Sequence, residues 1–382
     1  MIRLAIFLTV FLSLYGAMHV LVYRGIRPIL TPRPRSRWTT LAFMTLMVIS
    51  PVLVSVLERI ELETGARMLA LIGYSWMALV FISFAGFVVV FAWDLLLRPL
   101  GRLHRGLTEY SLHGPRCAVL VPALAVLLCI HGSFEANQLQ VETIHIKTDK
   151  LPVEAKPLRI VQISDLHLGL IHRNAMLDRV ITQVEQLQPD LLVATGDMVD
   201  GRIDHLAGLA EIFSRVSPPL GKYAITGNHE YYAGLDQALR FLQRSGFTLL
   251  RNRAISVGPL IVAGVDDPAG GHPGDEAALI KPTDRCHFTL LLKHRPLVSA
   301  AAEEFFDLQL SGHAHRGQIF PFNLVTALEY PMQNGLYRLA TGTRLYVSRG
   351  AGTWGPPVRV FSPPEITLIE LTPYPPMPSR QP

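Results

Sequence analysis

The sequence predicts two kinds of structure in one chain, four membrane-spanning α-helices followed by an α/β layered domain, and three observations lead there. Four uncharged apolar runs occupy the first third. From about Lys150, short β-rich runs alternate with amphipathic stretches and Gly, Pro or Asp punctuation. The chain as a whole is 49% hydrophobic and 17% charged, against about 25% charged in an average soluble domain. That balance excludes a disordered chain and argues against a purely soluble one.

The uncharged runs are Leu4–Tyr23, Trp38–Leu57, Met68–Trp93 and Cys117–Phe134, of 20, 20, 26 and 18 residues. A helix rising 1.5 Å per residue crosses a hydrocarbon core of about 30 Å in about 20 residues, so each run can span a bilayer. The first run lacks a small-x-small cleavage site and three more runs follow it, which argues against a signal peptide. Pro122 and His131 interrupt the last run. No Asp, Glu, Lys or Arg lies inside any of the four, which argues against an ion or substrate pathway and hence against a transporter.

Charge then sets the orientation. Up to Gln138 there are 12 arginines, no lysine and six acids, whereas the remaining chain carries 23 basic and 24 acidic residues. The formal net charge of +5 therefore belongs to the helical region. Arg24, Arg27, Arg33, Arg35 and Arg37 follow the first run, and Arg98, Arg102, Arg105 and Arg116 follow the third, leaving Arg3, Arg59 and Arg67 for the other side. By the positive-inside rule both rich loops are cytoplasmic. This predicts a multi-pass protein of the inner or cytoplasmic membrane, its second half extracytoplasmic, in the periplasm if the cell is Gram-negative. With the arginines assigned to loops, no nucleic-acid partner is expected; the bilayer is. Three scattered cysteines (Cys117, Cys129, Cys286) support neither a disulfide framework nor a thiolate metal site.

The predicted organisation is a transmembrane region over 1–138, a linker over 139–155, an α/β domain over 156–373 and a frayed Pro-rich tail over 374–382. Within the domain, 159–164, 191–195, 222–226, 260–264, 288–293 and 308–311 read as strands. Helices are expected over 174–188, 205–216, 235–245 and 297–304.

Polar residues gather where these strands end: Ser164-Asp165-Leu166-His167, Gly196-Asp197-Met198-Val199-Asp200, Gly227-Asn228-His229-Glu230, Lys293-His294 and Gly312-His313-Ala314-His315. Strand ends of an α/β sheet carry ligand-binding groups on a rigid frame. Asp165, His167, Asp197, Asn228, His294, His313 and His315 supply seven donors, too many for one tetrahedral ion and suited to two divalent ions that share a bridge. Imidazole, carboxylate and amide oxygen without thiolate suit Mn, Fe or Zn. Two such ions with two carboxylates and a hydroxide leave a centre that attracts an anionic phosphate and acidifies its own water. Taken singly, Asp165 reads as a helix cap and Asp197 and Asn228 as turn formers; seven together read as a site. His145, His172, His205, His272 and His287 match no such position. Arg316 reads either as a phosphate clamp or as surface. Phe320, Pro321, Phe322 and Trp354 read first as core, and otherwise as an apolar wall for an acyl or aryl group.

The ordered set D-x-H, G-D-x-x-D, G-N-H-E, a lone His and G-H-x-H over Arg159–Gln318 resembles the calcineurin-like metallophosphoesterase superfamily. The ending Leu345-Tyr346-Val347-Ser348-Arg349-Gly350, with Thr353-Trp354-Gly355-Pro356-Pro357, is similar to its bacterial membrane-associated branch with N-terminal spanning helices. The resemblance implies a four-layer α-β-β-α sandwich. It also implies Asp165, His167, Asp197 and His315 on one metal, and Asn228, His294 and His313 on the other, with Asp197 bridging. It puts His229 against the scissile phosphate as proton donor or charge stabiliser, and Asp200 behind it as the acid that orients the ring. Ala314 stands where Thr is usual, at a position that ligates nothing. The expected activity is hydrolysis of a phosphodiester, phosphomonoester or pyrophosphate, with diesters favoured, by attack of a metal-bridging hydroxide at a dinuclear centre. Tethering suggests a phospholipid or lipid-linked sugar phosphate as substrate, a soluble diester being the other option. The alternative is a sensor or scaffold that binds a phospholigand without turnover.

Overall fold

The structure is a computed structural model that describes residues 2–30, 34–103, 109–201, 208–271, 274–283 and 285–374. The chain forms two compact units: Met1–Phe134 with Ile319–Pro321 and Gly355–Val360, and the rest.

The first unit holds α1 (Ile2–Leu30), α2 (Pro34–Arg59), α3 (Glu63–Leu103) and α4 (Pro115–Glu135). All four are long and apolar enough to cross a membrane, and they run past the uncharged segments because a helix need not stop at the edge of the hydrocarbon. Tyr15, Val22, Met44, Val80 and Phe87 form a core among α1, α2 and α3. His19, buried in α1, is fully satisfied: the Trp76 indole donates to its Nε2 at 3.0 Å, so its Nδ1 donates to the Tyr15 carbonyl at 2.8 Å. Ile319, Val358 and Val360 join Ala78, Ile82 and Ala125 of α3 and α4 in one apolar cluster. Arg33 and Arg105 lie outside the described residues.

The second unit begins with β1 (Gln140–Thr148), β2 (Leu158–Ile163), β3 (Leu168–Gly169), α5 (Asn174–Leu187), β4 (Leu191–Ala194), β5 (Val199–Asp200), α6 (Leu209–Ile212), β6 (Lys222–Ala224), α7 (Asn228–Ala233), α8 (Leu235–Arg244) and β7 (Thr248–Leu249). It continues with β8 (Arg253–Val257), β9 (Leu260–Gly264), α9 (Glu276–Ile280), β10 (Phe288–Leu292), β11 (Leu308–Ser311), α10 (Phe322–Glu329), β12 (Gly335–Arg338), β13 (Arg344–Val347) and β14 (Glu365–Pro373). Two six-stranded sheets result, ordered β1-β14-β2-β4-β6-β7 and β12-β13-β11-β10-β9-β8, together with a two-stranded β3-β5 pair. Ile160, Val193, Val262, Leu290, Leu310 and Ile369 belong to one buried cluster drawn from both sheets. The other face of the first sheet packs on α5 and α8, whose Leu177, Val180, Ile181, Val184 and Leu242 recur at helical spacing. The other face of the second sheet packs on α9 and the 298–306 segment. The layers are thus helix, sheet, sheet, helix, a four-layer α-β-β-α sandwich.

Residues 139–155, expected as a linker, instead contain β1, paired in parallel with β14 from Gln140↔Glu365 to Thr148↔Pro373. The physical reason is the mixed apolar and polar alternation of Ile144 and Ile146 with exposed neighbours, buried only once β14 lies beside it. An ionic cluster adds to it: buried Arg349 reaches buried Glu365 at 2.8 Å and the more exposed Glu142 of β1 at 2.6 Å, and the Tyr346 hydroxyl donates to Glu365 at 2.7 Å. The helix expected over 297–304 is a set of turns ending in a short 3-10 segment, Glu303–Phe305. Its apolar residues Val298, Ala302, Phe305 and Phe306 reach the second sheet without helical backbone. Of the helix expected over 205–216, residues 205–207 lie outside the described residues and Leu209–Ile212 is helical. The tail beyond 374 also lies outside them.

Because Ile146 is 1% exposed in β1, Ile146→Ala should destabilise the second unit by about 2–5 kcal/mol in chemical denaturation. A change within about 0.5 kcal/mol, as surface positions give, would mean that this segment is a linker after all.

Candidate metal centre

The site is assembled at the carboxyl ends of five strands. β2, β4 and β6 run parallel in one sheet, and β10 and β11 run parallel in the other. Asp165 and His167 follow β2, Asp197 follows β4, Asn228 opens α7 after β6, His294 follows β10, and His313 and His315 follow β11. A tight backbone brings them together. Asp165, His167, Asp197, His313 and His315 all have left-handed φ, between 47° and 68°, a conformation costing of order 1–3 kcal/mol for residues other than glycine. Strain gathered on five donor residues marks a site where surrounding structure imposes the geometry. Gly227 lets the third loop close in, since a Cβ there would lie 2.6 Å from the Asp197 backbone nitrogen.

All seven expected donors meet in two sets. In the first, His167 Nε2 lies 3.1 Å from His315 Nε2 and 4.0 Å from Asp197 Oδ2, and His315 Nε2 lies 3.4 Å from Asp165 Oδ1. In the second, His294 Nε2 lies 3.1 Å from Asp197 Oδ2, 3.2 Å from Asn228 Oδ1 and 3.1 Å from His313 Nδ1. His294 Nδ1 lies 2.8 Å from the Thr195 carbonyl and donates to it, so Nε2 is the atom turned toward Asp197, Asn228 and His313, and in the neutral ring it carries the lone pair. Nitrogen and oxygen atoms at such spacings would serve as the edges of a coordination polyhedron with ligand bonds of about 2.0–2.2 Å. His167 Nδ1 is buried with no hydrogen-bond partner, so that ring is held for what its Nε2 binds. Clusters able to hold an ion are Asp165-His167-His315, His167-Asp197-His229 and Asp197-His294-His313. The donor set fits two divalent cations sharing Asp197.

The electrostatics agree. Burial opposes ionisation of Asp165 and Asp197, yet His315 holds the first, and His294 and His229 the second, below the ordinary carboxylate range. Burial and neighbouring imidazoles push His167 and His313 down to about 3, so both rings are neutral and carry a lone pair. Burial also opposes protonation of His294, but Asp197 overcomes it and lifts that ring to about 10. A field that favours a proton there favours a bound cation. His229 Nδ1 bonds Asp200 Oδ1 at 2.9 Å, and its backbone N–H donates to Asp197 Oδ1 at 2.8 Å. Against burial, Asp197 and Asp200 raise this imidazole to about 9.

Two residues that hold the site were not singled out in the sequence. Glu230, fully buried, accepts from the backbone N–H groups of Gly227 (2.6 Å), Asp197 (3.0 Å) and Met198 (2.8 Å), tying the β4 and β6 loops together. Burial and Asp197 push its carboxyl up to about 7 while these donors pull it down. Its place at the third position of α7 in G-N-H-E was the available signal. Tyr330 places its hydroxyl 3.1 Å from His313 Nε2, and nothing local in the sequence marks it. Arg316 is exposed with φ 50° beside His315. Among the other histidines, His172 accepts from the Thr353 backbone at 3.1 Å; His205 and His272 lie outside the described residues. Phe320, Phe322 and Trp354 are 47%, 43% and 54% exposed, so they are not core residues. The Trp354 ring lies 5.9 Å from that of His229.

Comparison with known proteins places this geometry in a family. The family described as calcineurin-like phosphoesterase matches residues 158–317. An uncharacterized metallophosphoesterase of Aquifex aeolicus is 40% identical over 255 residues, 65% of this chain and 97% of that one. One of Campylobacter jejuni is 33% identical over 75% of this chain and 78% of its own. A transmembrane protein with metallophosphoesterase domain of Danio rerio is 33% identical over 78% of this chain and 74% of its own.

If Tyr330 orients His313, Tyr330→Phe should weaken Mn binding about 10–100-fold in titration calorimetry. Unchanged affinity would remove Tyr330 from the site.

Proposed function

The chain belongs to the calcineurin-like metallophosphoesterase family, and on that premise we propose that it hydrolyses a phosphodiester in preference to a monoester or pyrophosphate. The observation that carries this reading is the pair of donor sets joined at Asp197. Asp165, His167, Asp197 and His315 would hold one divalent ion and Asn228, His294 and His313 the other, with Mn, Fe and Zn all compatible with these donors. When bound, the ions would supply Lewis acidity toward phosphoryl oxygens and lower the pKa of water.

The chain's own groups do the rest. His229, held in one tautomer by Asp200, carries a proton at a position to pass it to the departing alkoxide oxygen. Asp200 keeps the ring basic enough to bring that proton and fixed enough to aim it. Arg316 is assigned to the substrate's non-bridging phosphoryl oxygens, where a guanidinium forms two parallel hydrogen bonds. A phospholigand sensor without turnover would need none of the proton-donating pair, and both His229 and Asp200 are in place. We further propose that the domain is extracytoplasmic, on the arginine distribution of the loops, and that its substrate is a lipid-linked or envelope phosphoester.

Protein purified in detergent should hydrolyse bis(p-nitrophenyl) phosphate with Mn and lose the activity in EDTA. Asp197→Asn should lower kcat/KM by about 10³-fold or more, since it weakens both ion sites. His229→Ala should lower it by about 10²–10⁴-fold, more for an alkyl leaving group, which needs a proton, than for p-nitrophenolate. Full activity of Asp197→Asn would refute the site, and an equal loss for both leaving groups would remove His229 as proton donor. For topology, alkaline phosphatase fused after Pro382 should be active; a fusion active only as a cytoplasmic reporter reverses the orientation.

A further inference from the structure

The eight-residue helix α10, Phe322-Asn323-Leu324-Val325-Thr326-Ala327-Leu328-Glu329, buries none of its residues. Leu324, Val325 and Leu328 are 63%, 54% and 85% exposed, and Phe322 is 43% exposed. A helix in a folded domain normally turns such a face inward; a contiguous exposed apolar face marks an interaction surface. The helix is nevertheless well anchored at both ends. At its start Gly317 packs against the backbone of Asn323 so closely that a Cβ on Gly317 would collide with it. Just past its end, buried Tyr330 bonds His313. Its outward apolar face is therefore a fixed feature held on the two histidine-bearing turns.

Chain connectivity says what covers that face. Ile319 joins the apolar cluster of α3 and α4 residues within the membrane-helix unit. Three peptide links separate Ile319 from Phe322, a reach of about 11 Å at most. The second excursion into that unit, Gly355–Val360, is likewise bracketed by exposed aromatics, Trp354 at 54% and Phe361 at 55%. Exposed aromatic and aliphatic side chains next to segments that join membrane helices have the composition of an interfacial membrane element, aromatic at the flanks and aliphatic in the middle.

We propose that α10, with its flanking aromatics, seats in the headgroup–acyl boundary of the bilayer in which α1 to α4 are embedded. The active-site turn Gly312–Gly317 is then held against a lipid surface by its own neighbouring helix. The occupant is lipid; it is neither a second copy nor a soluble partner.

The test uses the full chain in nanodiscs of phosphatidylcholine and phosphatidylglycerol, with Cys117, Cys129 and Cys286 replaced by Ser. A bimane label goes at Leu328→Cys, at Val325→Cys as a second position, and at Thr248→Cys on the exposed edge of β7 as control. Lipid carrying an acyl-chain nitroxide should quench the label at 328 and 325 at least about twofold more than at 248, with the order reversed for aqueous iodide. Iodide quenching equal at 328, 325 and 248 without nitroxide quenching would overturn the proposal. Shielding from iodide without nitroxide quenching would also overturn it, by assigning the face to protein. Neither readout needs turnover. A failure of phosphodiester hydrolysis would strike the proposed function and leave this inference standing.

Discussion

The buried Asp197 carboxylate has one oxygen 3.1 Å from His294 Nε2 and 4.0 Å from His167 Nε2. Its other oxygen accepts the His229 backbone N–H. A buried carboxylate survives only if it is paired or binds a cation, and here every partner is a group that would itself ligate or face the ions. The two donor sets therefore stand or fall together. Moving Asp197 would disturb both, and with them the turn that presents His229. Glu230 is the reason Asp197 does not move, because its carboxylate takes the N–H groups on both sides of the close approach between the β4 and β6 loops.

The cost of this arrangement is visible in the backbone. Five donor residues hold left-handed φ, a strain that short strands alone could not impose. It is offset by a sandwich in which both sheets are filled on both faces, so that the strand ends form a rigid rim. Function thus draws on the stability of layers far from any reacting atom, including β1 and β14, whose pairing closes the first sheet.

The donor residues were legible in the sequence because each lies within a few residues of the end of a recognisable apolar strand, and strand ends in parallel sheets converge. The four apolar helices were legible because helices fit to cross hydrocarbon need long uncharged runs. β1 was not legible, since its edge position leaves half of its residues exposed and its sequence looks like a linker until β14 lies beside it. Tyr330 was missed for a different reason. It is 17 residues from His313 in the chain, and only the return through α10 brings its hydroxyl to the ring. Phe320, Phe322 and Trp354 read as core by type, because side-chain type alone does not distinguish an apolar group facing protein from one facing outward.

By itself, the sequence determined the class of each half, the order of the turns that carry the candidate ligands and the chemistry those donors favour. These depend on local spacing and residue type, which the chain carries in its primary order. Tertiary structure decided which donors face one another and that Asp197 stands between the two sets. It also decided that Glu230 and Tyr330 hold the site, and that α10 turns an apolar face outward. Those facts depend on contacts between residues distant in the chain, made only when two sheets and their covering helices pack together.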